Sequence, residues 1–151
     1  MLKNVYTIFL AIFIALFVGW GIQVFYEAPK MPQYPTGLNY GNDLSLEEKQ
    51  IQKNYDQKQN DYFDQEKIYN RNVSPIIAFF SIVLMAIGLL VLKNNRLFSD
   101  SVLLSSVFVL VYAVSRGTTS DNAKVQFISV TAGLIIAIVL GIIKFAEPKK
   151  S

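Results

Sequence analysis

Two aspartates, Asp61 and Asp64, are spaced to lie on one face of a helix, where paired carboxylates can do acid–base chemistry or hold a hard cation. Lys58 and Lys67 lie three residues before and after this pair, which is the pattern of a solvated salt-bridge surface. The chain of 151 residues has no Cys and no His, so thiolate and imidazole chemistry is excluded. It also lacks a P-loop and the GxSxG, HExxH and calcium-loop motifs. We therefore expect a protein that is not an enzyme and that binds no cofactor or metal.

The composition indicates a membrane protein. Hydrophobic residues make up 52% of the chain and charged residues only 17%. The net charge is +3, but the basic residues gather at the edges of apolar runs, so we expect the lipid bilayer and not nucleic acid as a partner.

Four apolar runs are each long enough to cross a bilayer as a helix, which takes about 17 residues or more. The predicted transmembrane helices are 5–24, 75–92, 97–115 and 125–145. No small-residue cleavage site follows the first run, which favours an uncleaved signal anchor. Ser74 before Pro75 predicts the start of the second helix, and Gly117 predicts a left-handed C-cap at the end of the third.

Basic residues predict the orientation. The short segments on the side of the two termini have a density of Lys and Arg roughly twofold higher than the longer segments on the other side. We therefore expect a multi-pass protein of the plasma membrane with both termini cytoplasmic and the loop 25–74 extracytoplasmic.

The loop 25–74 divides into two parts. Residues 25–43 are rich in Pro and Tyr, a composition that favours extended and turn conformations, and we call this part the strap. After it, Ser45 and Glu48 have the spacing of a capping box, and no Pro or Gly interrupts the following residues. These signals predict a long amphipathic helix over about 45–70.

One face of that helix carries an aromatic stripe that is a candidate partner-binding surface, made of Ile51, Tyr55, Tyr62 and Tyr69. The stripe could bind another membrane protein or a second copy of the chain. Alternatively, the tyrosines pack on the strap or lie at the level of the lipid headgroups.

Small residues at intervals of four predict where membrane helices pack closely. The first helix has such a ridge at Ala11, Ala15 and Gly19, and the fourth has one at Ser129, Gly133, Ala137 and Gly141. The two ridges could meet within the fold or form the seam of a homo-oligomer.

The third helix carries polar side chains on one face, at Ser101, Ser105, Tyr112 and Ser115. They could line a path for water, ions or a small solute if several copies form a pore. They could equally make hydrogen bonds within the bundle. No charged residue lies in the interior of a span, which argues against ion pumps and proton-coupled carriers.

The segment 20–35, WGIQVFYEAPKMPQYP, resembles the junction of first helix and outer loop in small four-span membrane proteins of uncharacterised bacteria. The resemblance covers this junction, and it implies a family without a known activity.

These observations predict an all-α membrane protein, a bundle of four transmembrane helices with an extracytoplasmic strap and one long amphipathic helix. The function we expect is a non-enzymatic assembly, scaffold or accessory subunit. The alternative is a channel or transport component formed by oligomerisation, and a third possibility is a sensor in which Tyr26, Tyr34 and Tyr40 grip a sugar or peptide.

Overall fold

The computed structural model describes residues 2–36, 45–92 and 94–145, with side chains through 142. These residues form four α-helices and no strand: α1 (Leu2–Phe25), α2 (Leu46–Ala86), α3 (Arg96–Thr118) and α4 (Ala123–Phe145). A five-residue π-helix, Ile87–Val91, continues α2. All four helices are long and apolar enough to span a membrane. The structure therefore confirms the all-α, four-helix prediction and is consistent with a multi-pass membrane protein.

The prediction of separate helices at 45–70 and 75–92 is wrong, because α2 runs through both without a break. Ser74 and Pro75 lie inside it, and Ser74 does not cap a helix start. Pro75 has no N–H for the carbonyl of Arg71, four residues earlier. Arg71 and Pro75 are both exposed. The carbonyl of Arg71 therefore lies on the open side of the helix and not in the core. We call Leu46–Ser74 the polar half of α2.

Of the helix caps predicted at Ser45 and Gly117, the first is confirmed and the second is wrong. The capping box is formed, since Ser45 N donates to Glu48 Oε2 at 2.8 Å and Glu48 N donates to Ser45 Oγ at 3.2 Å. The predicted C-cap at Gly117 is wrong, because α3 continues through Thr118 and Gly117 is a buried helical residue. Its role is to allow close packing, as described below.

An antiparallel pair, α2 and α3, forms the centre of the bundle, and α1 and α4 each pack against this pair. Within the described residues, α1 and α4 make no contact with each other. The core lies where the middle of α2, from Tyr69 to Ala78, meets α3 and the end of α1. We call this end of the bundle, where α1 and α3 end and α4 begins, the loop end. The core residues are Ile22, Tyr69, Val73, Ile77, Ala78, Val109 and Ala113.

Small residues set the register of α2 against α3 at intervals of seven. Three hydrogen bonds join a hydroxyl of one helix to a carbonyl of the other: Ser74 Oγ to Ala113 O at 2.9 Å, Ser81 Oγ to Ser106 O at 2.9 Å, and Ser99 Oγ to Gly88 O at 2.8 Å. Seven is the repeat that keeps one side of a helix facing a partner. We call these six residues the serine seam. Small side chains are what allows backbones to approach this closely in a membrane.

Candidate functional site

The tyrosine stripe contacts the strap at two points. The rings of Tyr55 and Tyr34 meet edge to face with centroids 5.0 Å apart, and those of Tyr69 and Tyr26 lie 5.6 Å apart. Asn72 Nδ2 also donates to the Tyr26 hydroxyl at 3.0 Å. The described part of the strap, residues 25–36, therefore lies along the polar half of α2 and contacts it through Tyr26 and Tyr34.

The dimensions of the strap match this path. Tyr69 and Tyr55 are roughly 21 Å apart along the helix, and the eight steps from Tyr26 to Tyr34 reach about 25 Å as polyproline II. Pro29, Pro32 and Pro35 are half-buried while most residues between them are exposed. Burial at every third residue is the pattern of a polyproline II helix that lies on a surface, because this helix has three residues per turn. Tyr40, named with Tyr26 and Tyr34 as a possible ligand grip, lies outside the described residues.

The stripe is divided between interior and surface. Tyr69 is only 4% exposed and belongs to the core, so its side chain is not available to a partner. Tyr62 is half-buried and packs beside Phe63, with centroids 5.7 Å apart. Ile51 and Phe63 are each 44% exposed, and Ile68 is 50% exposed, on a helix half that is otherwise mainly polar. The exposed large apolar side chains of the polar half are therefore Leu46, Ile51, Phe63 and Ile68, and they point in different directions around the helix.

The two predicted ridges of small residues do not meet. On α1, Ala11 is fully buried, and Gly19 faces α3, since a Cβ added at Gly19 would lie 3.9 Å from Cε1 of Tyr112. Ala15, the middle member, packs against the core. The α1 ridge therefore serves contacts inside the bundle.

The ridge on α4 is used at one end only. Ser129 is 1% exposed, and Gly133 lies near Leu110 of α3. Ala137 is exposed, and a Cβ on Gly141 would meet no atom within 4 Å. The ridge thus begins in a three-helix junction and ends on an open face of α4.

That junction joins α2, α3 and α4 at the loop end. Ser74 donates its single hydroxyl proton to Ala113 O, so in the 2.8 Å contact between Ser74 Oγ and Ser129 Oγ the donor is Ser129. A Cβ on Gly117 would lie 2.7 Å from Ser129 Oγ and 2.9 Å from Ser74 Oγ. Gly117 is therefore the residue that allows the three helices to come together.

The serines proposed for a polar path make local hydrogen bonds. Ser101 and Ser105 are fully buried and donate to Leu97 O and Val102 O of their own helix. Ser115 is exposed and bonds Val111 O. Of the four predicted residues, Tyr112 lines a groove, which lies between α1 and α3. These contacts are those of helix packing.

Arg116, in the last turn of α3, forms a cluster that the sequence analysis did not single out. Its guanidinium carbon lies 5.6 Å from the ring centroid of Tyr69 and 5.3 Å from that of Tyr112, within cation–π range. Its Nε donates to Tyr112 Oη at 3.2 Å, and Nη1 donates to Asn70 Oδ1 at 3.0 Å. Across residues 2–36, 45–92 and 94–142, no carboxylate forms an ion pair with Arg116.

Part of the Arg116 cluster and the serine seam can be recognised in the sequence. Tyr112 and Arg116 are four residues apart, a spacing that brings a ring and a cation together on one helix face. The seam shows as small residues at intervals of seven in each of two neighbouring helices. The pairing of Arg116 with Tyr69 and Asn70 has no local sequence signal, because Asn70 lies 46 residues before Arg116 in the chain.

The carboxylates of the polar half form surface ion pairs. Lys67 Nζ lies 3.7 Å from Asp64 Oδ1 and 3.5 Å from Asp121 Oδ2, and all three side chains are well exposed. Asp61 has no ion pair among the described residues, and no group of three carboxylates comes together there as a metal site. The second ion pair connects α2 to the turn between α3 and α4.

The fold and these contacts define the class as an all-α protein with four candidate membrane-spanning helices. Comparison with known protein families, curated proteins and solved structures finds no match for this chain. The resemblance of the segment 20–35 to bacterial four-span proteins stays a prediction.

Proposed function

We propose that this protein is a non-enzymatic accessory or scaffold subunit of a membrane assembly, and that it binds a partner protein through the polar half of α2. The observation that supports this most is the continuity of α2 from Leu46 to Ala86. The polar half is roughly 43 Å long. A helix of that length with no break holds its surface at a set position relative to the bundle, which is what a docking element requires.

Three contacts support a fixed direction for the polar half. At its base, Asn70 bonds Arg116 of α3, and Ser74 bonds Ser129 of α4. Farther along, the strap packs against Tyr55. A surface that is ordered before binding loses less conformational entropy when the partner arrives.

The proposed contact surface is centred on Phe63, which is 44% exposed, with the ring of Tyr62 beside it at 5.7 Å between centroids. Large apolar side chains in a polar surround, such as these, are the usual anchors of protein interfaces. Charged residues of both signs surround them, which suits a polar rim around the anchors. The partner we propose is a second membrane protein with a domain on the loop side.

The test is recovery of the partner from the native membrane in mild detergent, followed by particle mass and identification of stoichiometric chains. We compare Phe63→Ala with Phe79→Ala, which removes a ring of the same size, 63% exposed against 44% for Phe63, from the apolar part of the same helix. We expect Phe79→Ala to recover the partner like the wild type and Phe63→Ala to recover it at least about fivefold less, since anchor residues cost about 1 kcal/mol or more.

Equal recovery with both variants overturns the proposed surface. A particle that contains only this chain, at any stoichiometry, overturns the accessory-subunit role. Tyr69→Ala is unsuitable for this test, because Tyr69 is a core residue and its loss disturbs the fold itself.

A further inference from the structure

A groove of about 480 Å³ runs between α1 and α3 on the open face of the bundle. Its walls are six residues of α1 between Ile12 and Gln23, together with Phe108 and Tyr112 of α3. Along α1 it is roughly 16 Å long. Nearly all of its lining is apolar, and Gln23 and the Tyr112 hydroxyl lie at the loop end.

The polar end of this groove leads to a cation. Tyr112 lines the groove, and its hydroxyl accepts a hydrogen bond from Arg116 at 3.2 Å. Arg116 uses one further N–H on Asn70, which leaves three of its five N–H groups without a partner among the described residues. A guanidinium without a carboxylate partner favours an anion with several oxygens, such as a phosphodiester.

One further observation supports a headgroup site at this level. Trp20 lines the groove near its polar end and is 66% exposed, and Trp is enriched at the membrane–water interface.

We infer that the groove between α1 and α3 binds one acyl chain of an anionic phospholipid, with the phosphate held by Arg116 and the Tyr112 hydroxyl. The apolar wall between Ile12 and Gly19 accommodates the chain, and Gln23 offers an amide to the glycerol or phosphate oxygens. The groove is lined by residues of α1 and α3 and not of α2, and it is tested by lipid binding and not by partner recovery, so the two proposals can fail separately.

The test is native mass spectrometry of the detergent-purified full chain, titrated with phosphatidylglycerol or with phosphatidylcholine that has the same acyl chains. The wild type should bind one phosphatidylglycerol in clear preference to phosphatidylcholine. Arg116→Gln should lower the affinity for phosphatidylglycerol about tenfold, the effect of losing a charged hydrogen bond, and should remove the preference between the two lipids.

A matched pair of glycine variants tests the groove without touching Arg116. A Cβ at Gly19 meets only Tyr112 Cε1 at 3.9 Å, so Gly19→Leu fits the backbone while its side chain fills the groove. Gly21 has nothing within 4 Å and does not line the groove, so Gly21→Leu makes the same change elsewhere on α1. We expect Gly19→Leu to lose lipid binding and Gly21→Leu to retain it, with unchanged thermal unfolding of both.

Equal wild-type binding of the two lipids overturns the headgroup assignment. Full binding of phosphatidylglycerol by Gly19→Leu overturns the assignment of the groove as the acyl-chain site.

Discussion

Ser81 of α2 donates its hydroxyl proton to the carbonyl oxygen of Ser106 in α3, at 2.9 Å. Both side chains are fully buried, and this bond is the middle one of the three that form the serine seam. Because each step along the seam is seven residues, all three contacts lie on one side of each helix. The seam therefore holds α2 and α3 as one antiparallel unit on which α1 and α4 pack.

Gly117→Ala should destabilise the bundle by about 1–3 kcal/mol, the usual cost of adding a methyl group to a packed interior. The new Cβ would lie under 3 Å from the hydroxyls of Ser74 and Ser129, so these hydroxyls must turn away and lose their hydrogen bonds, or the helices must separate. The measurement is unfolding in detergent followed by circular dichroism. Gly141→Ala is the control, since its methyl group meets nothing within 4 Å, and an equal response of the two variants would contradict this account.

Ser99→Ala should cost more stability than Ser101→Ala. Ser99 donates across the interface to Gly88 O at 2.8 Å, whereas Ser101 donates to Leu97 O of its own helix. Interhelical hydrogen bonds in membranes contribute about 0.6 kcal/mol on average and up to about 1.7. We expect a loss in that range for Ser99→Ala and under about 0.5 kcal/mol for Ser101→Ala, whose backbone acceptor keeps its helical bond. The same unfolding assay checks this order, and the reverse order would show that the seam contact is not stabilising.

Tyr34→Ala should increase hydrogen–deuterium exchange in the polar half of α2 around Tyr55. The edge-to-face contact of these two rings joins the described part of the strap to the helix ahead of Tyr62, and without it this part of the helix has fewer contacts to hold it. Exchange near Tyr69 should stay slow, because that residue is in the core. Met31→Ala, a change at a 62% exposed strap residue, serves as the control. Unchanged exchange in Tyr34→Ala would mean that the strap does not brace α2.

Liposomes that contain the purified protein should remain sealed to ions and small solutes. Ser101 and Ser105, two members of the polar path predicted for a conduit, are fully buried and bonded to their own backbone. Efflux of a trapped dye and of a potassium load are the measurements, with protein-free liposomes as the control. Flux that rises with the amount of protein would favour the conduit over the scaffold.

Several features of the fold follow from local rules. Each helix contains a long apolar run, because a backbone in lipid must satisfy its hydrogen bonds internally. The capping box at Ser45 and Glu48 forms as its spacing predicts. The ion pair between Asp64 and Lys67 likewise follows from the spacing of the two side chains on one helix face.

Local rules fail where a residue makes its contact with a residue that is distant in sequence. Ser74 and Pro75 have the pattern of a helix start, yet the Ser74 side chain bonds α3 and α4, and the helix passes through both residues. Gly117 has the pattern of a C-cap, yet its missing side chain makes room for Ser74 and Ser129. In each case the residue type is explained by a contact far away in sequence.

The sequence by itself determined the class of this protein, namely an all-α chain with four helices apolar enough for a membrane, since chain length, hydropathy and caps act within a single helix. Only the tertiary structure decided which small residues become contacts. Ridges of small residues occur on α1 and α4 as well as along the seam, and lipid gives no hydrophobic preference among them. The choice depends on shape and register between whole helices, as does the placement of Arg116 between Tyr69 and Tyr112.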